Sequence, residues 1–456
     1  MNFAEIKKQE MEEYLSEKHK FGKPKNIVEY SRFTKERKVG DEIKTIWTEA
    51  FRVALQENAH IYVPQGKYYL DDTVVIPSDR KITADKNAFV CITEEAKVVM
   101  FRNADVIDGS FHSVGMNAPY TENVCIEGGM WATEYASRAG YGVVGAFDVE
   151  DSMHGVHALM LFSGVKNLWI KNVTFYNTVT FALQIGRTEN FLIEGVRLDT
   201  CHADGVHLNG EIKNGVVYDV RGYTRDDLVA LNAYDWDNST INNGTMERIT
   251  VSKICSTGDG AHCMRFLSGV TREEMGNIDC YMKDIHVSDI EGVQTFKLYL
   301  QTPSYVGAPE GTKVGRIENI TFENIEIVKN TFSDGGQNYF DKDPVTGHFG
   351  VFEMNSNIHK IAFRDIRFRL DMPEYDETAH FITVGPKSCY REDVKVETFD
   401  PYISSVVDEI EYENIIANGK SVEDLSDYIR VIKFENLYPS AYASGCGKIK
   451  KITKKN

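Results

Sequence analysis

Three short segments of this chain crowd acids, histidines and bases together. They are Cys201-His202-Ala203-Asp204-Gly205-Val206-His207-Leu208-Asn209, Tyr223-Thr224-Arg225-Asp226-Asp227-Leu228-Val229-Ala230-Leu231-Asn232 and Gly258-Asp259-Gly260-Ala261-His262-Cys263-Met264-Arg265. Asp226 follows Asp204 by 22 residues, His262 follows Asp227 by 35, and Lys297 follows His262 by another 35. In a chain that coils about every 22 residues, these positions fall in line on successive turns. Carboxylates at stacking distance repel, which favours a proton on at least one of them. One protonated acid beside one ionised carboxylate is what acid–base cleavage of a glycosidic bond requires. Stacked coils separate such groups by roughly 5–9 Å, a range spanning both the retaining and inverting geometries. A single aspartate beside a turn ordinarily bonds its own backbone. The chemical reading therefore rests on Asp204, Asp226, Asp227 and His262 being in register together, with Asp259 an alternative acid to Asp227.

The elements that position these residues are legible from a recurring motif, Asn–apolar–x–Ile/Val–x–x–Ile/Val–x–apolar. It occurs at Asn123-Val124-Cys125-Ile126, Asn167-Leu168-Trp169-Ile170, Asn190-Phe191-Leu192-Ile193, Gly315-Arg316-Ile317, Lys360-Ile361-Ala362-Phe363 and Glu409-Ile410-Glu411-Tyr412. Asn167 and Asn190 are 23 residues apart. A fixed period of this length signals stacked repeats, and the short alternating strands make it a β-solenoid. The predicted fold is an all-β, single-stranded right-handed parallel β-helix with a short N-terminal helical cap. Helical spacing is read over the first ~20 residues and over Asp41 to Leu55, and strand–turn–strand over Ile61 to Tyr69. Repeat arrays need capped ends, and the N-terminal helices are the expected cap. The predicted organisation is a helical or extended arm over 1–40, the solenoid over 41–440 and a basic tail over 441–456. Trp236–Glu247, Ser304–Thr312 and Gly335–Thr346 read as loops, the first two on the groove rim.

Composition narrows the partners. The 456 residues carry a formal net charge of −17, with 42% hydrophobic residues. Such a chain has ample apolar content for a core, and its negative charge argues against nucleic acid. The lysines at 448, 450, 451, 454 and 455 read as a solvated tail. No apolar run reaches the ~18 residues of a membrane span, and Met1–Lys20 lacks the apolar core of a secretion signal. The eight cysteines form no CxxC pair, so no zinc ribbon is expected. Scattered thiols without a leader suggest a reducing, cytoplasmic setting.

With these residues in view, the chain resembles the polygalacturonase family of glycoside hydrolases, family 28, within the pectate-lyase-like superfamily. The likeness runs from about Asp41 to Tyr299. That family's pattern is Asn-Thr-Asp, Asp-Asp, Gly-His-Gly, Arg-Ile-Lys. Here His202-Ala203-Asp204 keeps the first aspartate, Asp226-Asp227 matches the second pair, Ala261-His262-Cys263 keeps the histidine, and Thr295-Phe296-Lys297 keeps the lysine. The resemblance implies an inverting hydrolase with Asp226 as general acid, Asp204 and Asp227 activating water, His262 supporting the acid and Lys297 binding sugar. It implies no cofactor or metal and a carbohydrate as the partner. The family's arginine, which pairs with a uronate, has Thr295 in its place, and Arg265 or Arg225 are the candidate substitutes. His202, His207, Asn209, Asn232, Asp235, Trp236 and Tyr299 are further groove candidates, Trp236 by stacking on a sugar face.

Two alternatives stand beside hydrolysis. A polysaccharide lyase on the same solenoid would hold Ca²⁺ with the carboxylates and abstract a proton with Lys297 or Arg265. A non-catalytic glycan-binding solenoid would bind without turnover.

Overall fold

A computed structural model describes residues 1–96, 98–103, 119–134, 158–235, 241–271, 277–301, 313–330, 350–371, 380–385, 405–431, 433–438 and 442–455. The chain is the expected right-handed parallel β-helix with a small N-terminal helical part. It divides into two compact units, Met1–Arg225 with Asp237–Asn242, and Asp226–Trp236 with Asn243–Asn456.

In the first unit the repeat motif becomes a ladder of identical core positions. Ile82 pairs with Ile126, Ile126 with Ile170, Ile170 with Ile193 and Ile193 with Val217, all in parallel register. Every side chain in this row is buried. Parallel pairing buries both the strand backbones and a continuous apolar stripe, as Ile- and Val-rich strands favour. The motif's asparagines sit at the corners. Asn123, Asn167, Asn190 and Asn214 all have φ between 55° and 62°, a left-handed conformation that asparagine tolerates better than most residues. Their amides bond along the stack, Asn167 Nδ2 to Asn123 Oδ1 at 2.8 Å and Asn214 Nδ2 to Asn190 Oδ1 at 3.3 Å.

The two helices have different tasks. Helix α2 (Thr48–Glu57) buries Ala50, Phe51, Ala54 and Leu55 and is the cap. Its predicted start was too early. Glu42–Ile46 is instead a strand, paired antiparallel with Lys35–Val39. Gly40 at φ 59° makes the turn, and Ile43 points to solvent. Helix α1 (Phe3–Lys18), begun by an Asn2/Glu5 capping box, packs along the side of the coils. Its Leu15 packs with Leu192, Val216 and Tyr218, flanked by Met11 and Trp169. Lys8 reaches Glu194 at 3.1 Å and Tyr14 donates to Asn167 at 3.2 Å. It is a strap across the outer side of three coils.

The second unit repeats the logic. Ile249, Ile285, Ile320, Ile361, Ile410 and Ile452 form one row. Phe296 stacks on Phe352 with ring centres 4.6 Å apart, and Phe322 and Phe363 pack against them. The expected basic tail is not a tail. Ile452–Lys454 is a strand paired with Ser405–Ala417. Lys450, Lys451 and Lys455 are tied to Asp408, Glu409 and Glu411 at 2.7, 2.6 and 2.9 Å. Periodic apolar spacing at Ile449 and Ile452 lets the chain complete one more coil, and the lysines follow it into ion pairs.

Candidate functional site

In the second unit, Met264, Phe296 and Phe352 lie in register, as do Phe266, Leu298 and Met354. They turn inward onto the aromatic core. Side chains alternate along a strand, so Arg265, Lys297 and Glu353 form a second row on the opposite face. Tyr299 and Asn355 are the next pair on that face. These polar residues are nonetheless buried. Burial of charge is tolerable only with partners, and the partners are Asp226 and Asp227, at the turn entering the strand Val229–Asn232.

Arg265 binds both aspartates. Its Nη2 donates to Asp226 Oδ1 at 3.0 Å, and its Nε lies 2.7 Å from Asp227 Oδ2. The second approach is a close ion pair whose angle falls short of a hydrogen bond. Cys263 Sγ donates to Asp227 Oδ1 at 2.9 Å, and Lys297 Nζ is 3.9 Å from the same oxygen. Tyr299 donates its hydroxyl to Glu353 Oε2. The two aspartates differ in access: Asp226 keeps 8% exposure, whereas Asp227 has none. The backbone N–H of Asp227 also donates to Asp226 Oδ1 at 3.1 Å, fixing the pair.

The charges shape the neighbours. Burial, then the nearby Asp227, push the Cys263 thiol well above its ordinary range. Burial alone would lower Lys297, but Cys263 and Asp227 outweigh it and hold the ammonium above its usual value. With Cys263 protonated at neutral pH, the carboxylates carry that effect. Lys297 is thereby kept protonated, which disfavours it as the base of a lyase. Asp226, Asp227 and Cys263 do place one donor atom each within 4.8 Å of one another. Ca²⁺ prefers a shell of hard oxygens, and a buried neutral thiol suits it poorly, so this set does not support the calcium of the lyase alternative.

His262 departs from the expected line. The register partner of Lys297 is Arg265. His262 sits before the strand at φ 53°, its carbonyl accepting from Gln294 N–H at 2.7 Å. Its Nδ1 bonds Ser256 Oγ at 2.9 Å, and among the described residues neither aspartate is its partner. At this left-handed corner its ring is taken up by Ser256. Asp259 is an exposed turn residue. Asn232 and Tyr299 are buried on the ladder face.

In the first unit Asp204 Oδ2 meets His207 Nδ1 at 2.6 Å, both side chains buried. His207 stacks on Phe181, ring centres 4.2 Å apart and planes nearly parallel. It lies in register with Gln184, whose Nε2 donates to Asn209 Oδ1 at 2.8 Å. Asp235 is buried, His202 is half-buried, and Arg225 is exposed. Trp236 lies outside the described residues, as do the loops expected at Ser304–Thr312 and Gly335–Thr346.

Glu353, Asn355, Gln184 and the Cys263–Asp227 contact were not anticipated. Glu353 and Asn355 alternate with Phe352 and Met354 in an otherwise apolar strand, which is the signal that marks them.

No protein-family model matches the chain, and no curated protein matches it. Solved structures do. An exopolygalacturonase from Thermotoga maritima is 12% identical, with 91% of this chain and 97% of that one covered and a TM-score of 0.48. An endo-xylogalacturonan hydrolase from Aspergillus tubingensis is 15% identical over 84% and 93%, with a TM-score of 0.47. The tailspike of an E. coli bacteriophage, solved with a pentasaccharide, is 11% identical over 81% of this chain and 59% of that one, with a TM-score of 0.49.

Proposed function

We propose that the chain is a glycoside hydrolase that cleaves oligo- or polysaccharides by acid–base catalysis, with Asp226 as the acid. The observation that supports this is the unequal pair: two adjacent carboxylates clamped by one arginine, Asp226 8% exposed and Asp227 not at all. Environments that differ at adjoining acids assign them different roles. Asp226 protonates the leaving oxygen, and Arg265 and Asp227 hold it in place. The family resemblance assigns Asp227 to activating the water that inverts the anomeric centre.

The test compares wild type with Asp226→Asn on plant and host glycan oligosaccharides, following released reducing sugar. The expected result is release by wild type and a loss of at least 100-fold in the variant, the lower end of a general acid's usual contribution of about 10²–10⁴. Full activity of Asp226→Asn on a substrate that wild type cleaves rejects the assignment.

A further inference from the structure

Asn355 ends the strand Gly350–Asn355, in register with Tyr299 and on the same face as Lys297 and Glu353. It is fully buried, and neither its amide oxygen nor its amide nitrogen has a hydrogen-bond partner among the described residues. Buried side-chain amides in native proteins are almost always bonded. An amide aimed at a polar face and left without bonds is most simply read as waiting for a ligand. Its two donors and one acceptor match neighbouring hydroxyls of a sugar.

The charges on the same face say which sugar. Arg430 lies two rungs beyond Glu353 in the same row, through Thr383; before it, among the described residues of this unit, three carboxylates (Asp226, Asp227, Glu353) share the face with two cations. Both cations are engaged: Arg265 with Asp226 and Asp227, Lys297 with Asp227. A uronate entering beside Asn355 would meet Glu353 and compete for cations already committed, and like charges brought together on a buried face repel strongly.

We propose that Asn355 forms a hydroxyl-binding subsite on this face and that the sugar it takes is neutral, not a uronate. This rests on the hydrolase reading only in placing a glycan at the face. Glu353, fixed by Tyr299, screens out acidic sugars and offers its carboxylate to a hydroxyl.

The intact 456-residue chain is tested for binding to tri-galacturonic acid, its methyl ester, and neutral galacto-, xylo- and manno-trisaccharides. Wild-type turnover is followed on the same set. At least one uncharged probe binds at least tenfold more tightly than tri-galacturonic acid. Asn355→Leu weakens that binding at least tenfold, yet its Tm equals or exceeds wild type, because an apolar side chain removes an unbonded buried amide. A purely structural asparagine gives the opposite: a lower Tm with binding unchanged. Binding confined to tri-galacturonic acid, or no binding of any uncharged probe, overturns the proposal. Uncharged-sugar binding that depends on Asn355, without cleavage, keeps the subsite and rejects the hydrolase. Cleavage of tri-galacturonic acid alone does the reverse.

Discussion

At the scale of single residues, Arg265 organises the candidate site. It contacts both aspartates and is itself almost fully buried. Removing one member of a buried ion pair leaves charge without compensation and costs about 3–5 kcal/mol. Arg265→Met is therefore expected to lower stability by about that amount in chemical denaturation, as well as to abolish activity. Arg265→Lys restores little of either, since a point charge cannot span two carboxylates as a planar guanidinium does. If Arg265→Met unfolds at the wild-type denaturant concentration, the clamp does not hold the pair. The aspartates were legible in the sequence because they are adjacent and one coil from Asp204. Arg265 was visible too, but as a binder of substrate; that its guanidinium turns back onto Asp226 and Asp227 depends on register that spacing alone does not fix. Glu353 was hidden for a simpler reason. It follows its ladder neighbour Lys297 by 56 residues, so no period of about 22 leads to it.

At the scale of elements, the last coil is held by charge as much as by its apolar row. Lys450 draws Asp408 below its ordinary range, with His359 helping, and Lys451 does the same for Glu409. Burial acts to raise Glu411, but Lys455 and Lys360 overcome it and the net shift is downward. Carboxylates lowered in the folded state add stability above their unfolded values, and that contribution fades as pH falls through the folded ones. The final strand Ile452–Lys454 should thus lose hydrogen-exchange protection as pH drops below the ordinary carboxylate range. The buried row from Ile249 to Ile361 should stay protected over the same interval. Equal loss in both places rejects local loosening. The sequence showed this region's apolar spacing but the lysine count masked it, because charge runs usually mark solvated segments. Helix α1 was misplaced for a related reason. Its local pattern reveals a helix, whereas its docking on Trp169, Leu192 and Tyr218 depends on partners more than 150 residues away. The asparagine corners were the clearest signal, since asparagine is among the few residue types that readily accept the left-handed turn found at Asn123, Asn167, Asn190 and Asn214.

At the scale of the whole molecule, charge bears on which glycans can approach. The chain carries a formal net charge of −17. Lys450, Lys451, Lys454 and Lys455, the run most able to attract a polyanion, are paired with Asp408, Glu409, Glu423 and Glu411. Among the described residues no helix is long and apolar enough to cross a membrane. An acidic polymer then meets long-range repulsion whose reach is about 30 Å at 0.01 M salt and about 8 Å at 0.15 M. Raising salt over that interval should strengthen any association with polygalacturonate, and should leave association with an uncharged polysaccharide unchanged. Surface-immobilised polymers of both kinds, probed with the intact protein across the salt series, give the two slopes directly. Polygalacturonate binding that instead weakens with salt would mean that a cationic surface captures the polymer, and the preference for neutral sugars argued from Glu353 would then have to be abandoned along with the charge argument made here.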